Sequence, residues 1–237
     1  MNNRVLKYNK FSLNNFKFDD VVTNGKTSKI NVTYTDEIGN GPLMIQLPEE
    51  MRIPFDLVSY DKEITDKNGN NYNLKSYYIN FNFNLNNEKH TKCIKILKKF
   101  DNFLLNIIEK NSNKLFKKQP TFTGTDNNNF TGILAQSRDK TTNNIDGNYI
   151  GLKLKVPHKK DKLISKVYNV NRELVDTQVN LVKGNIGGPI IKINNLWASG
   201  TKYGVSCDLQ LFKMQEVKIE KNNNKEYLFL SDSDDSD

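Results

Sequence analysis

Between Tyr77 and Leu115 the chain changes its hydrophobic period once, and that change restricts its fold more than any other feature. Tyr77, Ile79, Phe81, Phe83 and Leu85 alternate with Ser76, Tyr78, Asn80, Asn82 and Asn84. A period of two puts the first set on one face of a strand. From Glu88 to about Leu115, Cys93, Leu97, Phe100, Leu104, Ile107 and Ile108 recur every three or four positions, with Ile94 alongside. That spacing predicts one amphipathic helix. Its other face carries Lys89, Lys92, Lys95, Lys98 and Lys99 and reads as solvated.

The remaining apolar patterns are short and strand-like. Ile30, Val32 and Tyr34 share one face of a half-buried strand. Glu37 to Pro42 is a turn, and Leu43 to Leu47 a short strand that Pro48 ends. Asn68-Gly69-Asn70 is a hairpin signal, because Asn-Gly accepts the positive φ angles of a tight turn. Pro120 and Gly124 close the helical segment. After an Asp146-Gly147 turn, Ile150, Leu152, Leu154 and Val156 alternate with Gly151, Lys153 and Lys155. His158 to Lys162 is a basic loop, and Asn185 to Pro189 a glycine-rich connection before a strand from Ile190 to Trp197. Ala198 to Lys202 is a turn. The last strand starts near Val205, with Cys207, Leu209 and Leu211 on one face, and continues with a register change through Val217 and Ile219.

No internal repeat or domain boundary interrupts this order. The expectation is one mainly β domain over residues 1–222, with one prominent helix and a disordered acidic tail over 223–237. An OB-fold-like small barrel is the leading architecture, with jelly-roll and sandwich arrangements open.

Charge points to the partner. The net charge is +8, yet Asp232, Asp234, Asp235 and Asp237 follow Leu230 with no base among them. The tail therefore carries −4 and the rest +12. A basic body suggests a polyanion, with nucleic acid first and an acidic membrane surface second. An acidic block suggests an interaction tail that competes for the body's own cationic groove. Cys93 and Cys207 make no disulfide framework, no apolar run marks a leader, and none is long enough to span a bilayer. The expected setting is soluble and intracellular, with no membrane partner.

Catalytic constellations are missing, so no enzyme activity and no cofactor are expected. His90 and His158 lack neighbours at metal-ligand spacing. Gly184 to Pro189 lacks the Lys-Ser/Thr end of a phosphate loop. Adjacent acids such as Asp19-Asp20 and Glu49-Glu50 point to opposite faces of a strand and read as surface.

The binding candidates are better. Single strands are held by lysines that track phosphates and by aromatic faces that stack unpaired bases. Tyr149, Gly151, Lys153 and Lys155 share the polar face of one strand, with Lys159 and Lys160 in the loop beyond. Tyr78 lies opposite the core side of its strand. Trp197 and Tyr203 flank the last turn and Lys202 lies in it, although a lone Trp is more often core. Phe229 and the tail acids Asp232, Asp234, Asp235 and Asp237 are the candidates for partner binding.

Two stretches go beyond composition. Leu43-Met44-Ile45-Gln46-Leu47-Pro48 runs into Ile53-Pro54-Phe55-Asp56-Leu57, and Leu196-Trp197 precedes Tyr203-Gly204-Val205-Ser206-Cys207-Asp208-Leu209-Gln210. With the acidic tail, they resemble the single-stranded-DNA-binding proteins of nucleocytoplasmic large DNA viruses, related to the OB-fold binding proteins of short-tailed phages. The resemblance implies a protein that coats unpaired DNA during viral replication, in host cytoplasm or a viral replication factory. It implies a tail that recruits replication proteins and bridges a homodimer. The alternative is a basic structural or capsid-associated β-protein that packs against duplex viral DNA. RNA as ligand, and an enzyme with a scattered site such as a nuclease, also stay open.

Overall fold

The computed structural model describes residues 4–65, 69, 71–118, 120–122, 124, 129–138, 145–160 and 162–216, with backbone alone at 64–65, 72, 136–138 and 145–150. The chain is mainly β with one long helix, as the alternating and helical periods require. The strands that position the site are β1 (Thr27–Asp36), β2 (Leu43–Gln46), β3 (Met51–Arg52), β4 (Val58–Thr65) and β5 (Asn71–Asn82). Helix α1 (Glu88–Lys110) and the short α2 (Ser112–Leu115) follow. Then come β6 (Phe130–Thr131), β7 (Leu134–Arg138), β8 (Ile145–Val156), β9 (Ile186–Ser199) and β10 (Lys202–Met214).

Five of these strands pair in a ring. β3 pairs β5, β5 pairs β8, β8 pairs β10, β10 pairs β9, and β9 returns to β3. All of these pairings are antiparallel except β8 with β10. Two seams are narrow. Arg52 with Asn82 joins β3 to β5, and Lys155 with Asp208 joins β8 to β10. The arrangement is thus a partly open five-stranded ring, the strand number of an OB-fold, and not a uniformly closed barrel. β1 and β2 extend the sheet beyond β9, and β4 lies outside β5.

The inward side chains follow the period of two. Ile79, Phe81, Leu152, Leu154, Val156, Ile191, Leu209 and Phe212 are at most 1% exposed, and Phe81 meets Phe212 with ring centres 5.2 Å apart. Helix α1 begins at Asn87, whose side chain accepts from the Lys89 N–H as an N-cap. It buries Cys93, Leu97, Phe100, Leu104 and Ile108 of the stripe its spacing predicts and leaves Ile107 half-buried, while Lys89, Lys92, Lys95 and Lys99 are exposed and Lys98 is half-buried. His90 is also buried. Its Nδ1 accepts from the Asn84 N–H, and its Nε2 lies 2.6 Å from the Glu49 carbonyl, so it ties the helix start to the sheet.

Several local expectations change. Leu85 leaves the strand pattern and is 56% exposed, because β5 ends at Asn82 and the chain turns toward α1. Asp146 and Gly147 lie inside β8 instead of forming a turn. Asn185 to Pro189 is no loose connection, since β9 begins at Ile186. A Cβ at Gly187 would run into the Lys213 carbonyl and the Phe212 ring, so glycine there serves close strand packing. Leu211 is half-buried and Phe212 takes the inward place. The ladder shifts between Ile190 and Ile191 and leaves Gln210 as an extra residue on β10, which reverses the faces. Val217, Ile219 and the whole acidic tail lie outside the described residues, as do most residues of the Asn68-Gly69-Asn70 turn between Thr65 and Asn71.

Candidate nucleic-acid interface

The narrow seam between β8 and β10 opens a groove. On one side of Lys155 the strands diverge, and each takes a different partner. β8 pairs β7 through Leu152 with Leu134 and Gly151 with Ala135. β10 pairs the short parallel β6 through Tyr203 with Phe130 and Gly204 with Thr131. A cavity of about 660 Å³ lies over this divergence. Tyr78, Lys153, Lys155, Trp197, Lys29 and Asn195 are among its lining residues, and Asp101 and Cys207 line it too.

Register explains why residues so distant in sequence meet. Tyr78 on β5 faces Lys155 on β8, and Lys155 faces Asp208 on β10. Asp208 faces Lys192 on β9. In a second row Gly204 faces Trp197, and Trp197 faces Lys29 on β1. These side chains point away from the ring interior, because their neighbours Leu154, Ile79, Leu209 and Leu196 are buried. Lys29 and Lys153 are exposed, and Tyr78, Lys155 and Trp197 are half-buried.

Aromatic and cationic groups are organised at one edge of the groove. The Lys153 ammonium lies 5.1 Å from the centre of the Tyr78 ring and 5.3 Å from that of Tyr60. Both distances are within cation–π range. The two rings meet edge to face, 5.6 Å apart. Burial, with Tyr60 and Asp208 nearby, pushes the Tyr78 hydroxyl above its usual value.

One carboxylate, Asp101, lines the groove, and a second, Asp208, stands opposite Lys155 at its border. Asp101, on α1, is 3% exposed and accepts the Ile133 N–H at 2.8 Å and the Leu134 N–H at 3.1 Å. It thereby holds the link between β6 and β7 against the helix. A Cβ at Gly132 would strike this carboxylate, so the link needs glycine there. Burial raises the Asp101 carboxyl to about 7, against the opposing pull of the two N–H donors. Asp208 is raised as well, chiefly by burial. A hydrogen bond from Asn194 and the charges of Lys155 and Lys192 work the other way. Burial, with Asp101 and Asp208 close by, pushes the Cys207 thiol well up and leaves it a poor nucleophile.

The candidates separate into four groups. Tyr78, Lys153, Lys155 and Trp197 come together in the groove. Tyr203 does not join them. It is 0% exposed and packs against Phe116, Phe122 and Phe130, with ring centres 5.6, 5.2 and 5.9 Å away, so no base can stack on it. Alternation places it inward beside outward Lys202, a distinction its position near a turn obscures. Lys159, Lys160 and Lys202 are exposed on hairpins but do not line the groove. Lys159 sits in a short ladder with Lys162, and the neighbouring His158 ring packs 5.2 Å from Tyr77. The Tyr149 backbone lies on β8 opposite Gln136; its side chain, and Phe229, Asp232, Asp234, Asp235 and Asp237, lie outside the described residues. A Cβ at Gly151 would run into the Phe81 carbonyl, so glycine there serves close strand packing.

Sequence reasoning missed Lys29, Asp101, Asp208 and Tyr60. Lys29 carries a usable signal, since it alternates with Ile30, Val32 and Tyr34 on its strand, whereas Tyr60 stands between Ser59 and Asp61 and carries none. Asp101 carries one too, as a carboxylate beside the buried stripe of an amphipathic helix. Alternation between Cys207 and Leu209 marks Asp208 as outward, but only register shows that it meets Lys155 and Lys192. Among the described residues no three His, Cys, Asp or Glu side chains gather to hold a metal ion, and no helix is long and apolar enough to cross a membrane. The chain matches no protein-family model and no curated protein.

Proposed function

We propose that this protein binds single-stranded DNA without sequence preference and coats it during replication, in a virus as the sequence resemblance implies. The observation that carries the reading is the groove. Four residues singled out as base-stacking or phosphate-binding types, Tyr78, Lys153, Lys155 and Trp197, line one cavity although they come from three separate strands. Lys29 adds a cation opposite Trp197. Half-buried aromatic faces beside lysines suit unpaired bases and their phosphates. Counterion release then makes affinity fall steeply with salt. The acidic tail adds a competing polyanion, which DNA displaces and frees for replication partners.

A titration with oligo-dT and with a duplex of equal length, at two salt concentrations, tests this. The expected result is single-strand preference, loss of affinity with salt, and a change in Trp197 fluorescence on binding. Equal or tighter duplex binding overturns the reading in favour of a protein that packs against duplex DNA. Preference for oligo-U over oligo-dT redirects it to RNA.

A further inference from the structure

Tyr60 has no place in the groove, yet it is joined to it. It projects from β4, the strand outside the ring, and is 51% exposed. An exposed tyrosine alone is ordinary. What sets this one apart is the cation beside it. Lysine ammonium groups on a surface normally range over many rotamers, and fixing one costs entropy. Lys153 is held by two rings at once, 5.3 Å from Tyr60 and 5.1 Å from Tyr78. Its charge is thus placed in advance at the point where the groove meets the β4–β5 hairpin. Tyr78 lines the groove and meets Tyr60 edge to face. With both neighbours in place Tyr60 is still 51% exposed, so about half of its surface stays open to solvent.

A fixed ammonium next to an open aromatic face matches the two recognisable parts of one nucleotide, a phosphate and a base. Resting on the single-strand reading above, we infer that Tyr60 and Lys153 form a second nucleotide station beside the groove, with Tyr78 as the wall between the two. Lys153 takes the phosphate, and Tyr60 stacks one unpaired base of any identity. A strand leaving the groove past Tyr78 reaches this station next, so it serves only ligands long enough to extend beyond the groove.

The test is a length series of oligo-dT spanning roughly 4–16 nucleotides, the range of site sizes for such folds. It is measured by anisotropy on the full chain and on Tyr60→Ala, Tyr60→Leu, Tyr60→Phe and Trp197→Ala. Matched thermal melting shows that each variant is folded. Tyr60→Ala and Tyr60→Leu weaken the long oligomers about tenfold, within the worth of one base stack, and leave the shortest unchanged. Tyr60→Phe keeps the wild-type length dependence, because it retains the ring. Trp197→Ala weakens every length. If Trp197→Ala weakens binding and the Tyr60 variants bind all lengths like wild type, the station is wrong and the groove reading stands. If the wild-type chain binds no single strand of any length, both fall together.

Discussion

Lys155 and Asp208 face each other in the single residue pair that joins β8 to β10. The pair sits on the outer face, where Tyr78 borders it on one side and Lys192 on the other. A carboxylate therefore stands in the middle of a basic surface. It holds part of the positive potential of Lys155 and Lys192 that a phosphate would otherwise meet. Burial works against its ionised form, and the two lysines favour it.

Asp208→Asn removes that charge while keeping the size of the side chain. The expected outcome is tighter binding of oligo-dT, severalfold near 0.1 M salt, where charges about 10 Å apart still interact. The slope of log affinity against log salt steepens by up to about one unit, as the released lysines take one more phosphate. Anisotropy titrations across salt concentrations measure both. An unchanged slope and affinity would place the DNA path away from this pair.

Asp101 predicts a stability that depends on pH in the direction unusual for a carboxylate. Burial raises its carboxyl from the ordinary carboxylate range near pH 4 to about 7 in the folded chain. Between those values the folded state holds a proton that the unfolded state has lost. Its contribution to stability is full below about pH 4, and it is lost as pH rises through about 7. Asp101→Asn removes the titration and turns an amide donor toward one backbone N–H. The stability of wild type relative to this variant should therefore fall with rising pH, by at most about 1.4 kcal/mol per unit. It should level off above neutrality. Urea denaturation at several pH values gives the curve; a difference that is flat in pH would contradict the buried carboxyl.

Deleting Ser231 to Asp237 takes four carboxylates from the chain. If the tail competes for the groove, affinity for oligo-dT rises, most at low salt, where screening is weakest. Titrations at two salt concentrations with both chains decide it, and equal affinities at low salt would remove the competition.

Gly151→Ala tests the ring itself. The added methyl meets the Phe81 carbonyl across the β5–β8 ladder, where neither backbone has room to yield without moving its neighbour. Overpacking of this kind costs about 1–3 kcal/mol. Thermal melting should show it as a lower midpoint, and an unchanged midpoint would mean that the strands are not this close.

The elements were legible where period is strong. The stripe from Cys93 to Ile108 predicted α1, and the alternation of Ile79, Phe81, Leu152 and Leu154 predicted which faces of β5 and β8 are core. The same alternation placed Tyr78, Lys153 and Lys155 outward, so half of the groove was readable strand by strand. Tyr203 was misread because a turn two residues away suggests exposure, whereas aromatic packing from three phenylalanines draws the ring inward. Leu211 was misread because a single extra residue at Gln210 reverses the faces after it, and a bulge leaves no mark in the alternation before it.

By itself the sequence determined a mainly β chain with one amphipathic helix, a basic body and an acidic end, because period and charge are local properties of neighbouring residues. It did not determine that Tyr78, Lys155, Asp208 and Lys192 form one row, or that Trp197 stands against Lys29. Those meetings depend on strand order and register. They are decided by which hydrophobic faces close on one another across the ring, a property of the whole core that no single segment contains. The groove has the same origin. It exists because β8 and β10 share one residue pair and then part, each to a different neighbour.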